Sequence, residues 1–227
     1  MIDIRLSDRL SAVLDTAASN ATSKERIIDV GSDHGHLAAC AVAGGLFKTA
    51  VCTDIHKDPA GKSEALMKEM GLDDNVSVFC TDGLDGIDIV EGDTVVMAGL
   101  GGNNMIDIIG RVRTSCDKEI LKSVRFILQP QKSIEALRVF LADNGFKIFD
   151  ESVVTERGIY YPMLVTGYTG DKYDLTLRQK YYGPILMEKY VTGDSIVREY
   201  FIRLDSRYKL RARGDEELRK LLEEVDV

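Results

Sequence analysis

The chain has 227 residues, 44% of them hydrophobic and 29% charged, with a formal net charge of −8. That length holds one large domain, or a domain of ordinary size with a small appendage. No apolar run reaches transmembrane length, and the acidic balance argues against a generic nucleic-acid binder.

Leu6, Leu10, Val13 and Leu14 recur with helical period and predict a helix ahead of the first strand. The preceding Met1 to Arg5 alternates in charge and lacks an apolar signal core, so secretion is not expected. Ile27-Ile28-Asp29-Val30 reads as the first strand, and Leu37 to Ala43 as a helix closed by Gly44-Gly45. Val51-Cys52-Thr53-Asp54 is the second strand, followed by a helix from Lys57 to Met70 that Gly71 closes. Val76 to Phe79 leads into Thr81-Asp82-Gly83-Leu84, and Thr94 to Met97 into Ala98-Gly99-Leu100-Gly101-Gly102. A further helix begins at Met105. Phe126-Ile127-Leu128 ends in Gln129-Pro130, and Ser133 to Asn144 is a helix ended by Gly145. This alternation predicts an α/β fold with a doubly wound parallel sheet. Phe146 to Val154 and Tyr160 to Tyr168 then predict a terminal antiparallel hairpin around Glu156-Arg157-Gly158.

Tyr168 to Asp171 is the expected domain boundary. Beyond it Leu175, Leu177, Tyr181 and Tyr182 precede Gly183-Pro184, and a second helix starts where Asp194 and Ser195 can cap. Ile196, Val197, Phe201, Leu204 and Tyr208 stripe that helix, Gly214 interrupts it, and Glu216 to Val225 continues the pattern. A polar helical hairpin buries little core alone, so it must pack on the main domain, a second copy or RNA. From Asp174 onward acids and bases balance, and Arg198, Arg203, Arg207, Lys209, Arg211 and Arg213 face only Glu199 and Asp205. With Tyr200, Phe201 and Tyr208 interleaved, this segment reads either as a phosphate-holding surface or as a solvated helix face.

The chemistry concentrates at the strand ends. Asp29 to Leu37 is an acid, a tight glycine turn and a helix start, which is the geometry of a turn that receives a nucleotide-like ligand. A dinucleotide fingerprint needs a second glycine where this chain has Asp33. The extra carboxylate repels a pyrophosphate and suits a cation, which favours S-adenosylmethionine (SAM), with its sulfonium and ammonium. The terminal hairpin also fits SAM methyltransferases rather than a nicotinamide-dependent oxidoreductase. Asp29 is placed to organise the amino-acid end of SAM, with Gly31 and Ser32 supplying close approach and backbone donors. Asp54 follows Asp29 by 25 residues, the spacing of a ribose-binding acid. Asp82, beside Gly83, is placed to accept from the adenine amine. His34 and His36 would share a face on a strand but not in a turn entering a helix, so no metal site is expected. Cys40, Cys52, Cys80 and Cys116 make no C-x-x-C pair and read as reduced cysteines of a cytoplasmic protein.

Leu6-Ser7-Asp8-Arg9-Leu10, Asp29-Val30-Gly31-Ser32-Asp33-His34, Asp82-Gly83-Leu84, Ala98-Gly99-Leu100-Gly101-Gly102 and Leu128-Gln129-Pro130 together resemble the bacterial tRNA (adenine-N1)-methyltransferases that modify position 22 of tRNA. Tyr182-Gly183-Pro184-Ile185-Leu186 resembles the start of that family's C-terminal helical region. The chain departs from the family at His36 and Ala38, where an aromatic and a proline are usual, and at Pro162, where a glutamate often follows the tyrosine. The resemblance implies a Rossmann-like SAM-binding methyltransferase domain over 1–170 and a small helical, coiled-coil-like domain over 171–227. It also implies cofactor contacts for Asp33 and His34, and places Arg9 near the SAM carboxylate.

Enzymes that methylate the adenine amino group usually carry an N/D-P-P-Y/F/W motif after the fourth strand, which this chain lacks. The ring N1 lone pair needs orientation and an open approach more than a base. Gly99 and Gly101 offer that approach, although a bare turn packed on the sheet would use the same glycines. Asp33 is the candidate to steady the cationic product, Gln129 to reach the target base, and Tyr160 or Tyr161 to stack on it. The expected function is SAM-dependent methylation of adenine N1 in tRNA, with tRNA as partner, no membrane association and the oligomeric state open. A SAM methyltransferase of another substrate, and a non-catalytic RNA-binding protein on the same fold, are the alternatives.

Overall fold

A computed structural model describes residues 4–223. Five parallel strands come from the alternating part of the chain: β1 (Arg26–Val30), β2 (Thr49–Asp54), β3 (Val76–Cys80), β4 (Thr94–Ala98) and β5 (Arg125–Gln129). The hairpin β6 (Phe146–Glu156) and β7 (Ile159–Tyr168) completes a seven-stranded sheet in the order β3-β2-β1-β4-β5-β7-β6. β7 pairs antiparallel with both β5 and β6, so the hairpin is antiparallel as the sequence predicts. Chain direction across the sheet switches between β1 and β4, and a crevice opens there at the strand C-termini.

Both faces of the sheet are covered, which is why its strands read as continuous apolar runs. Ile27, Cys52, Val96 and Ile127 pack under α1 (Asp8–Asn20), α2 (His36–Ala43) and α3 (Lys57–Met70). Their sequence neighbours Ile28, Val51, Val95 and Phe126 point the other way, under α4 (Gly102–Ser115), α5 (Lys118–Ser123) and α6 (Ile134–Asp143). Two elements differ from the sequence expectation. The helix expected from Met105 starts three residues earlier at Gly102, and α5 lies where no helix was expected, started by Asp117 accepting from the Glu119 and Ile120 amides.

Beyond the sheet the chain forms α7 (Leu177–Tyr182), α8 (Pro184–Thr192), α9 (Ser195–Arg211) and α10 (Glu216–Glu223). Gly183-Pro184 ends α7 as expected, and Pro184 also opens the unexpected α8, where its missing N–H costs nothing. The expected last helix extends to Val225, beyond the described residues. These helices enclose a third core of Tyr181, Tyr182, Leu186, Phe201, Leu204 and Tyr208, with Val153 and Tyr160 of the hairpin packed against it. Tyr200, Phe201 and Tyr208, read from sequence as interleaved with the basic residues, are buried in this core.

A buried ion pair ties this core to the sheet. Arg138 of α6 donates from Nε to Glu151 Oε1 of β6 at 2.8 Å, and from Nη1 to the Lys180 and Tyr181 carbonyls at 3.1 Å. Glu151 Oε2 accepts from the amides of Ile185 and Leu186 at the start of α8. Gly183 lies over the pair: a Cβ there would sit 2.6 Å from both Arg138 Nη2 and Glu151 Oε2.

Candidate active site

Two adjoining hollows occupy the crevice at the β1/β4 switch point. The larger, about 510 Å³, is lined by Asp54, His56, Asp82, Asn104, Asp107 and Arg111. The smaller, about 300 Å³, is lined by Arg9, Asp29, Asp33, His34, His36 and Gly99. Gly31 and Leu100 line both. Leu100 rests on Gly31 (φ +72), where a Cβ would lie 3.1 Å from Leu100 Cδ2. The glycine lets the turn pass beneath that side chain.

Asp29 is only 4% exposed, yet no side chain among the described residues hydrogen-bonds its carboxylate. Burial, with Asp54 nearby, pushes its carboxyl up to about 7. A cation placed beside it would offset that cost and favour the carboxylate. Asp54 is fixed by backbone: Oδ1 accepts from the His56 amide at 2.9 Å and Oδ2 from the Asp33 amide at 3.3 Å. Asp33 adopts φ +54, a conformation that costs a non-glycine residue energy and that aims its amide at Asp54.

Several expected roles change. The Gly31 and Ser32 amides both donate to the Thr53 carbonyl, at 2.8 and 3.0 Å, so these donors are engaged within the fold and only the close approach remains. His34 and His36, expected to point apart, stack with ring centroids 5.7 Å apart, and His34 Nε2 lies 3.5 Å from the exposed Asp33 carboxylate. No group of three or more metal-binding side chains occurs among the described residues. Asp82 lines the larger hollow but meets Arg111 at 3.3 Å, and Arg111 also holds Asp85 at 2.8 Å. Gly83 is needed for packing, since a Cβ there would lie 2.6 Å from Ile108 Cγ1.

Gln129 does not reach a target base. It is fully buried; its Oε1 accepts from Arg9 Nη1 at 2.7 Å and its Nε2 donates to the Pro130 carbonyl at 3.3 Å. It fixes Arg9, whose guanidinium also sits 5.5 Å above the Tyr161 ring and whose amide donates to Glu156. Ser7 and that amide hold the Glu156 carboxyl below its usual range, pinning α1 to the hairpin turn.

The Gly99–Gly102 loop is joined to the loop after β5 by backbone bonds: Gly99 N to Gln129 O, Gln131 N to Leu100 O and Gly102 N to Lys132 O. At Gly102 a Cβ would meet the Ser133 carbonyl oxygen at 2.4 Å, so this glycine serves the close packing of two loops. Gly99 and Gly101 are freer, with their nearest neighbours at 3.7 Å (Gln131 Nε2) and 3.1 Å (Lys132 Cε). A cleft of about 330 Å³ follows, between the loop after β5 and α9, with Gln131, Lys132, Tyr160, Tyr161, Arg207 and Arg211 in its walls. Tyr160 is engaged by α9: it stacks on Tyr200, lies under Arg203 and hydrogen-bonds Glu199. Among the described residues, Tyr161 makes its ring contact with Arg9. Sequence reading assigned no role to Asp107, Arg111, Gln131 and Lys132; the helical period that puts Asp107 and Arg111 on one face of α4 with Asn104 could have found the first two.

Comparison with known proteins gives the same picture. The methyltransferase-domain family matches residues 6–164. A Bacillus subtilis tRNA (adenine(22)-N(1))-methyltransferase is 28% identical over 165 residues, 73% of this chain and 66% of that protein, so the match spans just under two thirds of the relative. A Mycoplasma pneumoniae protein named "Putative tRNA methyltransferase" is 33% identical over 81% of this chain and 82% of its own length. The crystal structure of Streptococcus pneumoniae Sp1610, a "putative tRNA (m1A22) methyltransferase", in complex with SAM superposes with a TM-score of 0.80 at 24% identity, covering 98% of this chain and 97% of that one. The chain belongs to the methyltransferase-domain family, and its relatives there are named as tRNA methyltransferases.

Proposed function

We propose that this chain uses SAM to methylate N1 of an adenine in tRNA, at the position equivalent to 22. The observation that carries the reading is the buried, unpartnered Asp29 carboxyl facing a crevice that also presents Arg9 and the backbone-held Asp54. A zwitterionic amino acid joined to a nucleoside needs a carboxylate, a guanidinium and a second carboxylate in that order. SAM supplies an electrophilic methyl on a sulfonium. Asp29 binds the ammonium, Arg9 the carboxylate, and Asp54 the ribose hydroxyls. Asp82 takes the adenine amine, with Arg111 holding it in place.

The chemistry asked of the protein is then alignment. Gln129 acts through Arg9 as a positioning residue, and the open side of Gly99 and Gly101 leaves room for an in-line approach by the ring nitrogen. Methylated N1 carries a positive charge, which the acids of the crevice, Asp33 and Asp29, stabilise as it forms. No general base is required, since the N1 lone pair is free near neutral pH. In this reading 1–170 bind the cofactor and 171–227 serve the substrate, in the cytoplasm where tRNA is. No helix among the described residues is long and apolar enough to cross a membrane.

Incubation with bulk tRNA and SAM, followed by chromatography of the nucleosides, is expected to give 1-methyladenosine. Finding only N6-methyladenosine would end the proposed mechanism. Asp54→Ala is expected to weaken SAM binding by about 1–3 kcal/mol, the scale of lost charge-assisted hydrogen bonds. Calorimetry with unchanged affinity would remove Asp54 from the ribose site.

A further inference from the structure

The cofactor crevice accounts for the acids of the strand ends but not for the cleft beside it. The two share no lining residue, yet they meet at the Gly99–Gly102 loop through Gln131 and Lys132. The Lys132 and Arg207 side chains make no ion pair or hydrogen bond among the described residues, whereas the Arg211 side chain, further along α9, is shared with Glu135 at 3.6 Å. Two cations thus face one cleft, from the loop after β5 and from α9. The α6 N-terminus, which lacks a side-chain cap at Ser133, opens on the same space and favours the same sign of ligand. The Tyr161 ring supplies an aromatic face in the same walls.

We propose that this cleft receives the target nucleotide once it has left the RNA stack, with its base against Tyr161 and a phosphate between Lys132 and Arg207. This rests on the methyltransferase reading above. A base inside a helix cannot present N1 to a methyl donor, so methyltransferases of nucleic acid extrude their targets into a pocket. Extruded RNA bases are held by aromatic faces, and their phosphates by Lys and Arg. A volume of about 330 Å³ lies at the lower end of the small-ligand range, about 300–1,000 Å³, and suits a single nucleotide. The cleft also explains why α9 packs beside the strand ends: it builds one wall of the substrate site, and its residues reach the reaction through the RNA alone.

The test uses Lys132→Glu and Arg207→Glu in the full chain, with Lys209→Glu as control. Lys209 lies on α9 outside the cleft and changes the total charge by the same amount. Each cleft variant is expected to raise KM for a tRNA transcript about tenfold or more while SAM affinity stays within about twofold; the control is expected to shift KM by less than about twofold. Adenosine 5′-monophosphate is expected to inhibit the unmodified chain more strongly than adenosine, and Arg207→Glu to erase the difference. If the unmodified chain methylates tRNA and the cleft variants keep its KM, the cleft is not the nucleotide site. If the unmodified chain methylates nothing, the methyltransferase reading fails on its own, and fluorescence anisotropy with labelled tRNA decides the cleft. Equal affinity for Arg207→Glu and the unmodified chain overturns the proposal, and a loss confined to the cleft variants supports it.

Discussion

Glu151→Ala is expected to destabilise the chain by about 3–5 kcal/mol, because it leaves the Arg138 guanidinium buried without its counter-charge. Both partners are at most 1% exposed, so water cannot take the place of the lost carboxylate. The variant also leaves the first amides of α8 without their acceptor. The loss therefore has a location: proteolysis is expected to cut first around α7 and α8, where Glu151 and Arg138 bind the backbone. Replacing both partners with apolar residues, Arg138→Met with Glu151→Leu, is expected to recover much of the stability, since neither charge is then buried. A urea midpoint for Glu151→Ala close to that of the unmodified chain would show that the pair is dispensable.

Asp29→Asn is expected to weaken SAM binding at least tenfold at pH 8 and to abolish its pH dependence. In the unmodified chain the carboxyl is pushed up to about 7, so below that pH it must lose a proton before a cation can pair with it. Affinity should therefore rise with pH toward 7 and level off above it, and binding near pH 6.5 should release protons. Calorimetry in two buffers of different ionisation enthalpy measures that release; finding none would remove Asp29 from the ammonium site. The same shift has the opposite sign for stability. Between about 3.8 and 7 the folded chain holds a proton that the unfolded chain has given up, so stability without ligand falls as pH rises through that window. Asp29→Asn should thus melt higher than the unmodified chain at pH 8 while binding SAM worse. A site that costs stability in order to bind is the expected pattern for a functional group.

The sheet was legible because doubly covered strands are unbroken apolar runs between turn residues, and Asp29 and Asp54 were legible because they end such runs. α5 was not legible: Lys118 to Ser123 is too short to show a period, and its one signal is the capping Asp117. α8 was missed because Gly183-Pro184 stops one helix and starts the next in two residues. The burial of Gln129 follows from strand parity. It shares a face with Ile127, two residues earlier, and that face lies under α1. The same rule applies to α9, where Tyr200, Leu204 and Tyr208 recur every fourth residue and form a core stripe. What no pattern in the sequence reveals is the cleft, since its walls come from three separate segments, 130–135, 159–162 and 200–211, that meet only in the folded chain.

The bonds that hold Arg9 have a bearing on how the chain is made. Its amide pairs with Glu156 and its guanidinium with Gln129, partners 147 and 120 residues further along. α1 packs on β4, β5, β6 and β7, all of which follow it by more than seventy residues. During synthesis this amphipathic helix emerges before the strands it packs on and completes its seat only after the terminal hairpin has emerged. Until then α2 is its one early neighbour, and most of its apolar stripe stays uncovered. Contacts that close such long loops form slowly and prolong the exposure of sticky surface. The crevice consequently lacks its guanidinium until the fold is nearly complete, and a half-made chain has no complete site with which to capture the methyl donor.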